Sequence, residues 1–230
     1  MMKKPKRTST TVPEAADLRI IGGRLRGRKL CYHGDRVTRP MKHRVRESIF
    51  NLVSEGSRDR QAIDLFAGTG ALGLEALSRG ARGAIFIEKH VPTARVLQEN
   101  VDTLGVADQS AVLVTSAFLW GRRDLPRAGE PPPASPSLGE GLVGAVPPTD
   151  VAWLVFCSPP YAFYVERWEE MERLLGEVMG AMPADSLLVV EADERFDFAL
   201  LPQVEGGAEG GAEWDIRTYA PAVVGVWHKR

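Results

Sequence analysis

A chain of 230 residues, 44% of them hydrophobic, is long enough for one sizeable α/β domain with a small appendage and too apolar to be globally disordered. Two cysteines, Cys31 and Cys157, exclude a disulfide framework, fit a reducing cytoplasm and give no clustered Cys/His spacing for zinc. The formal net charge of −1 hides an asymmetry: residues 1–60 carry 16 Lys/Arg against 6 Asp/Glu and the rest 13 against 24, so a front end of +10 precedes a body of −11, an electrostatic footprint for a polyanion.

No run approaches the ~18–20 apolar residues of a membrane span, and the basic N-terminus lacks the apolar stretch of a signal peptide. The expectation is a cytoplasmic protein with neither membrane anchor nor metal. Met1–Pro13 is rich in Lys, Thr, Ser and Pro, and residues 1–17 read as a flexible basic tail. In Leu18–Leu30 apolar and basic residues roughly alternate around Gly22-Gly23, which predicts a small β-hairpin or ribbon. After the break at Arg39-Pro40, the apolar residues Val45, Ile49, Leu52 and Val53 fall on one helical face. Arg44 and Arg46 are read as off that face and directed outward. Residues 18–60 thus form a basic N-terminal unit, with Arg24, Arg26, Arg28, Arg39, Arg44 and Arg46 as candidate phosphate ligands.

From residue 61 onward strands and helices alternate. Strands are expected at Ala62–Phe66, Gly83–Glu88, Ala111–Val114, Val151–Cys157 and Ser186–Glu191. Helices are expected at Ala71–Ser78, Val91–Leu104 and Val165–Met182. Trp214–Tyr219 and Ala222–His228 read as a closing hairpin. This order implies an α/β class, a doubly wound, Rossmann-like and largely parallel sheet. The Pro/Gly-rich stretch 126–150 reads as a mobile surface insertion and Glu205–Glu213 as a flexible loop.

Gly68-Thr69-Gly70-Ala71-Leu72-Gly73 matches GxGxxG, with Glu88 about 20 residues on. That spacing alone also fits a dinucleotide-dependent dehydrogenase. Asp64, just before the loop, separates the two: a carboxylate there repels a pyrophosphate but can receive, directly or through water, the ammonium of S-adenosylmethionine (SAM). Asp64, Phe66, Gly68 and Gly70 are therefore candidate cofactor contacts, with Glu88 accepting from the ribose hydroxyls.

Ser158-Pro159-Pro160-Tyr161 follows the apolar run Val151–Cys157. An exocyclic amine on a base is a poor nucleophile, because its lone pair is delocalised into the ring. The Ser158 hydroxyl and Pro159 carbonyl can accept its N–H groups, Pro159 and Pro160 stiffen the turn, and Tyr161 can stack on a flipped base. The two motifs together point to methyl transfer from SAM to a base nitrogen, with Ser158, Pro159, Pro160 and Tyr161 as the candidate catalytic turn. Cys157, at a strand end without a nearby His, reads as packing.

Over these residues the chain resembles the RsmD-type methyltransferases, which modify guanine N2 in bacterial small-subunit (16S) ribosomal RNA. The matching segments are Arg19–Gly23, Arg26–Leu30, Arg39-Pro40, Arg44–Glu47, Phe50-Asn51, Asp64–Gly80, Ile87-Glu88 and Pro159–Tyr161. The resemblance implies a seven-stranded SAM-dependent methyltransferase domain over 61–230, an RNA-gripping extension over 18–60, ribosomal RNA or the small subunit as partner, and a monomer. It also places Ser116-Ala117 where an Asp or Asn would commonly bond the adenine amino group, and Ser158 where Asp or Asn is usual. Two other readings follow from those departures: a DNA amino-methyltransferase, or an RNA-binding ribosome-assembly factor that has lost turnover.

Overall fold

The structure, a computed structural model, describes residues 18–32, 41–125, 146–203 and 214–230. The expected N-terminal tail, Arg39, most of the insertion and the loop Glu205–Glu213 lie outside the described residues. Seven strands form one sheet: β1 (Gln61–Asp64), β2 (Gly83–Ile87), β3 (Ser110–Leu113), β4 (Trp153–Cys157), β5 (Leu187–Asp193), β6 (Asp215–Tyr219) and β7 (Ala222–His228), ordered β3-β2-β1-β4-β5-β7-β6. The first five run parallel, and β7 pairs antiparallel with both β5 and β6. Every residue of β1, β2 and β4 is buried, as expected for near-continuous apolar strands covered on both faces.

The helices are α1 (His43–Val53), α2 (Ala71–Ser78), α3 (Val91–Leu104), α4 (Ala117–Asp124), α5 (Phe163–Glu166) and α6 (Trp168–Ala181). One apolar layer joins Ile49 and Phe50 of α1, Leu74 of α2 and Leu97 of α3 to one face of the sheet. The other joins Trp120 of α4 and Leu174 and Leu175 of α6 to the opposite face. Two elements differ from the sequence reading. The single helix expected over Val165–Met182 is broken at Arg167, which adopts φ −138° and ψ 32°. Helix α4 was not foreseen, being short and carrying Gly121 at its centre.

Residues 18–32 make one antiparallel bridge, Arg19 to Lys29, rather than a full ladder. Their backbone is held mainly by α2. The Glu75 carboxylate, fully buried, accepts from the N–H groups of Ile21 and Gly22, both at 2.7 Å, and from Arg79 Nε at 2.8 Å. Ser78 adds three contacts: its hydroxyl accepts from Leu25 N and donates to the Gly22 carbonyl, and its own carbonyl accepts from Arg24 N. Gly23 (φ +73°) passes so close that a Cβ there would stand 1.9 Å from the Ser78 carbonyl oxygen, so only glycine fits.

Arg46 corrects the sequence reading. Its side chain is fully buried, donates to the Arg19 carbonyl and lies within the field of Glu75. Burial lowers its pKa and Glu75 opposes that shift. Arg46 thus faces the core and cannot bind phosphate.

Glu75→Ala leaves the Gly22 turn without acceptors and the buried Arg46 charge uncompensated. It should cost about 3–5 kcal/mol, and Glu75→Gln about 1–3 kcal/mol. Urea unfolding measures both; losses of only a few tenths would mean that Glu75 does not hold the N-terminal segment.

Candidate active site

The strand order reverses between β1 and β4, with β2 and β3 added on one side and β5 on the other. In open α/β sheets the crevice at the carboxyl ends of two such strands is where ligands bind. Asp64 ends β1 and pairs with Phe156 of β4, and Ser158 follows one residue after β4 ends. The glycine loop and the Ser-Pro-Pro-Tyr turn are therefore neighbours, one strand spacing apart, about 4.8 Å.

Backbone bonds to both neighbouring strands fix the loop: Leu65 N donates to Phe156 O and Ala67 N to Ile87 O, each at 3.0 Å. Gly70 has φ +83°, and a Cβ there would stand 2.2 Å from Leu97 Cδ1. The loop thereby turns into α2, whose Gly73 N–H donates to Asp64 Oδ2 at 3.2 Å. Asp64 Oδ1 is buried and has no hydrogen-bond partner among the described residues. Desolvation, with a further push from Glu88, raises the Asp64 pKa to about 7, against the lowering effect of the Gly73 bond and of the nearby Phe66 N–H. Glu88, half-buried, accepts from Gly68 N at 3.0 Å and from His90 N at 2.7 Å, so one carboxylate ties the loop to the end of β2.

Three aromatic rings gather beside this loop. Phe66, Phe118 and Phe163 have centroids 5.9 to 6.1 Å apart. The Arg167 guanidinium lies 4.2 Å from the Phe118 ring centroid and 5.0 Å from that of Phe163. Lys89, two residues beyond the end of β2, approaches the Phe163 ring. Ser116 caps α4 through its carbonyl, which accepts from Leu119 N and Trp120 N, and Ala117 opens the helix beneath Phe118. The cofactor candidates Asp64, Phe66, Gly68, Gly70, Glu88, Ser116 and Ala117 thus all lie at the carboxyl ends of β1, β2 and β3.

In the Ser158–Tyr161 turn, the Pro160 and Tyr161 carbonyls accept from Phe163 N and Tyr164 N. The Pro159 carbonyl receives no such bond among the described residues, which leaves it available to a ligand. Both hydroxyls of the turn donate to one carboxylate: Ser158 Oγ to Glu191 Oε2 at 2.5 Å, and Tyr161 OH to Glu191 Oε1. Tyr164 OH donates to the Glu191 carbonyl at 3.0 Å. Glu191, on β5, is 5% exposed. Burial raises its pKa against the lowering effect of the Ser158 and Tyr161 bonds. Burial and the bond to Glu191 push the Tyr161 phenol up, and burial pushes the Cys157 thiol far up, consistent with packing.

Sequence reasoning missed Glu191, Phe118, Phe163 and Arg167. For Glu191 the one signal was an acid closing the apolar run Leu187–Val190.

The candidate phosphate ligands divide. Arg24 donates to Gln109 Oε1, just before β3, and Arg28 to the Thr103 carbonyl near the end of α3. Both arginines, with the exposed Arg26, therefore sit at the amino edge of the sheet, away from the crevice. Helix α1 runs the other way along the molecule: its C-terminal end leads to Gly56, packed against Leu187 at the start of β5. Its first turn, with exposed Lys42 and Arg44, therefore lies towards the carboxyl edge. Arg39 lies outside the described residues. Among the described residues no group of three His, Cys, Asp or Glu could hold a metal, and no helix is long and apolar enough to cross a membrane.

Residues 18–128 match the family model described as conserved hypothetical protein 95. The "Ribosomal RNA small subunit methyltransferase D" of Escherichia coli K12 is 43% identical over 111 residues, 48% of this chain and 54% of that protein, so the match spans about half of the relative's length. The solved structure of yhhF, named as a methyltransferase candidate from Escherichia coli, superposes with a TM-score of 0.65 at 27% identity over 93% of this chain and 98% of its own. The 16S rRNA N2 methyltransferase RsmC of Thermus thermophilus, solved with AdoMet and guanosine, shares the fold (TM-score 0.58, 17% identity, 94% of this chain and 50% of that one).

The raised pKa of Asp64, about 7 against an ordinary 3.8, has a definite consequence for stability. Folding favours the protonated acid, so the contribution is fully present below about pH 4, declines as pH rises and is gone above about pH 7. Compared with Asp64→Asn, the wild type should lose stability between pH 4.5 and pH 8. Parallel unfolding curves at the two pH values test this, and a constant difference would show that Asp64 stays ionised throughout.

Proposed function

We propose that this chain is an RsmD-type methyltransferase and transfers a methyl group from SAM to the exocyclic N2 of a guanine in small-subunit ribosomal RNA. The observation that carries this reading is adjacency: a cofactor-type glycine loop after β1 and an amine-accepting turn after β4 open into one crevice.

The residues present fit SAM. The unpartnered Oδ1 of buried Asp64 is a place for a cation, and the ammonium of the methionine moiety is one. Glu88 keeps lone pairs for ribose hydroxyls besides those used by Gly68 and His90. The Phe66, Phe118 and Phe163 rings offer an apolar wall for an adenine, which offsets the Ser116-Ala117 departure from Asp or Asn. When bound, SAM supplies an electrophilic methyl group carried by a positive sulfur, so neither metal nor strong base is needed.

The chain's own residues position the acceptor. Ser158 Oγ and the Pro159 carbonyl accept the two N–H groups of the amine, which holds the nitrogen in place and raises its electron density. Tyr161, anchored by its hydroxyl, offers its ring to a base turned out of its stack. Lys42 and Arg44 meet the phosphates flanking that base, and Arg24, Arg26 and Arg28 form a second, more distant patch. In this reading the protein works in the cytoplasm, as a monomer and without metal. The reading as an assembly factor without turnover rested on the missing acid or amide at both Ser158 and Ser116; Glu191, bonded to the Ser158 hydroxyl from behind, weakens the first of those grounds.

Incubation of unmodified small-subunit particles with methyl-labelled SAM, followed by nucleoside digestion and mass spectrometry, should yield N2-methylguanosine. Tyr161→Ala should lower the rate about a hundredfold or more while SAM binding persists, and Asp64→Ala should abolish SAM binding in calorimetry. RNA binding without any methylated nucleoside would sink the enzymatic reading. RNA affinity should also fall steeply with salt, less so for Arg44→Ala, because each phosphate contact releases counterions; a salt-insensitive affinity would remove the arginines from the interface.

A further inference from the structure

A serine in the amine-accepting position poses a chemical problem. An aspartate is acceptor-only, and an asparagine carries its acceptor and donor on separate atoms. A hydroxyl is both at once on one atom. A serine free to rotate would spend part of its time presenting its hydrogen to the amine, which is the wrong polarity.

The neighbouring strand resolves this. Glu191 projects from β5, whose Val190 pairs with Cys157, the residue before Ser158. Its two oxygens take the hydrogens of both hydroxyls in the turn, Ser158 on Oε2 and Tyr161 on Oε1. The carboxylate is buried, so water does not compete for these bonds. A carboxylate has only lone pairs to offer, so while it is ionised the Ser158 hydrogen must point at it. The Ser158 lone pairs then face away from β5. The same carboxylate holds the Tyr161 hydroxyl and with it the ring.

Resting on the methyltransferase reading above, we infer that Glu191 is the positioning residue of the reaction: by holding the hydrogens of Ser158 and Tyr161 it makes Ser158 a one-way acceptor for the target amine. Glu191 does not touch the base. It acts through Ser158, and it restores to a serine the polarity that an aspartate would have by its own chemistry. An amide at 191 cannot do the same. It accepts from one hydroxyl and donates to the other, so the polarity of the turn is no longer set.

The test is a double-mutant cycle between Glu191→Gln and Ser158→Asp, read as kcat and as KM for SAM on unmodified small-subunit particles. Glu191→Gln is nearly isosteric. In the Ser158 protein it should lower kcat about tenfold or more with little change in KM for SAM, the size of one misoriented charge-assisted bond. In the Ser158→Asp background the same change should lower kcat less than about threefold, or raise it, because an aspartate is acceptor-only by its own chemistry and the amide at 191 removes a like charge beside it. Equal losses in the two backgrounds, or no loss in the Ser158 protein, would overturn the inference and leave Glu191 as packing. The unsubstituted protein is the control for the underlying reading: no product from it removes that reading and this inference together, whereas product from it with equal losses removes only this inference.

Discussion

A carboxylate stripped of water must be given donors, and among the described residues four are nearly or wholly stripped: Asp64, Glu75, Asp124, which pairs with its neighbour Arg123, and Glu191. An uncompensated buried charge costs several kcal/mol, so each dictates what the chain around it can do. Glu75 draws in the backbone of Ile21 and Gly22 and balances Arg46. Glu191 draws in the hydroxyls of a turn 30 residues upstream in sequence. Asp64 is only half provided for, with one oxygen on Gly73 N and the other without a partner among the described residues. Glu75 and Glu191 therefore build the protein, and Asp64 keeps one oxygen for a ligand.

The sheet places these groups usefully because its parallel strands all end at one edge. Asp64, Glu88 and Ser158 come from β1, β2 and the residue after β4, and their nearness follows from the register rather than from any long loop. Loops are held in turn by side chains from neighbouring elements. Asn100 of α3 donates to the Thr69 carbonyl at 3.0 Å and to the Cys31 carbonyl at 3.2 Å, so the glycine loop and the N-terminal segment share one anchor.

Much of this was legible in the sequence. Apolar runs marked the five parallel strands to within two residues, and Pro92 and Gly105 bounded α3. Local motifs named both halves of the crevice. What could not be read depends on partners distant in the chain. Arg46 looked outward because the apolar face of α1 was drawn through Val45, Ile49, Leu52 and Val53. The buried set also includes Phe50, and with it the face turns to take in Arg46. Glu191 was visible only as the end of a strand, since nothing in its own neighbourhood announces two hydroxyls from another segment. The break at Arg167 was hidden inside a continuous amphipathic pattern, and its reason is tertiary: the guanidinium lies over Phe118 and Phe163 and pairs with Glu170.

The two groups of exposed basic residues lie at opposite edges of the sheet, Lys42 and Arg44 towards the crevice and Arg24 with Arg28 beside the start of β3. A strand of five residues is about 17 Å long. A free nucleotide laid in the crevice could touch only the nearer group. To engage both, an RNA must run the height of the molecule while also offering one loose base at its end. Under the proposed function, recognition of that kind would measure span as well as chemistry and select a guanine by its place in a folded RNA.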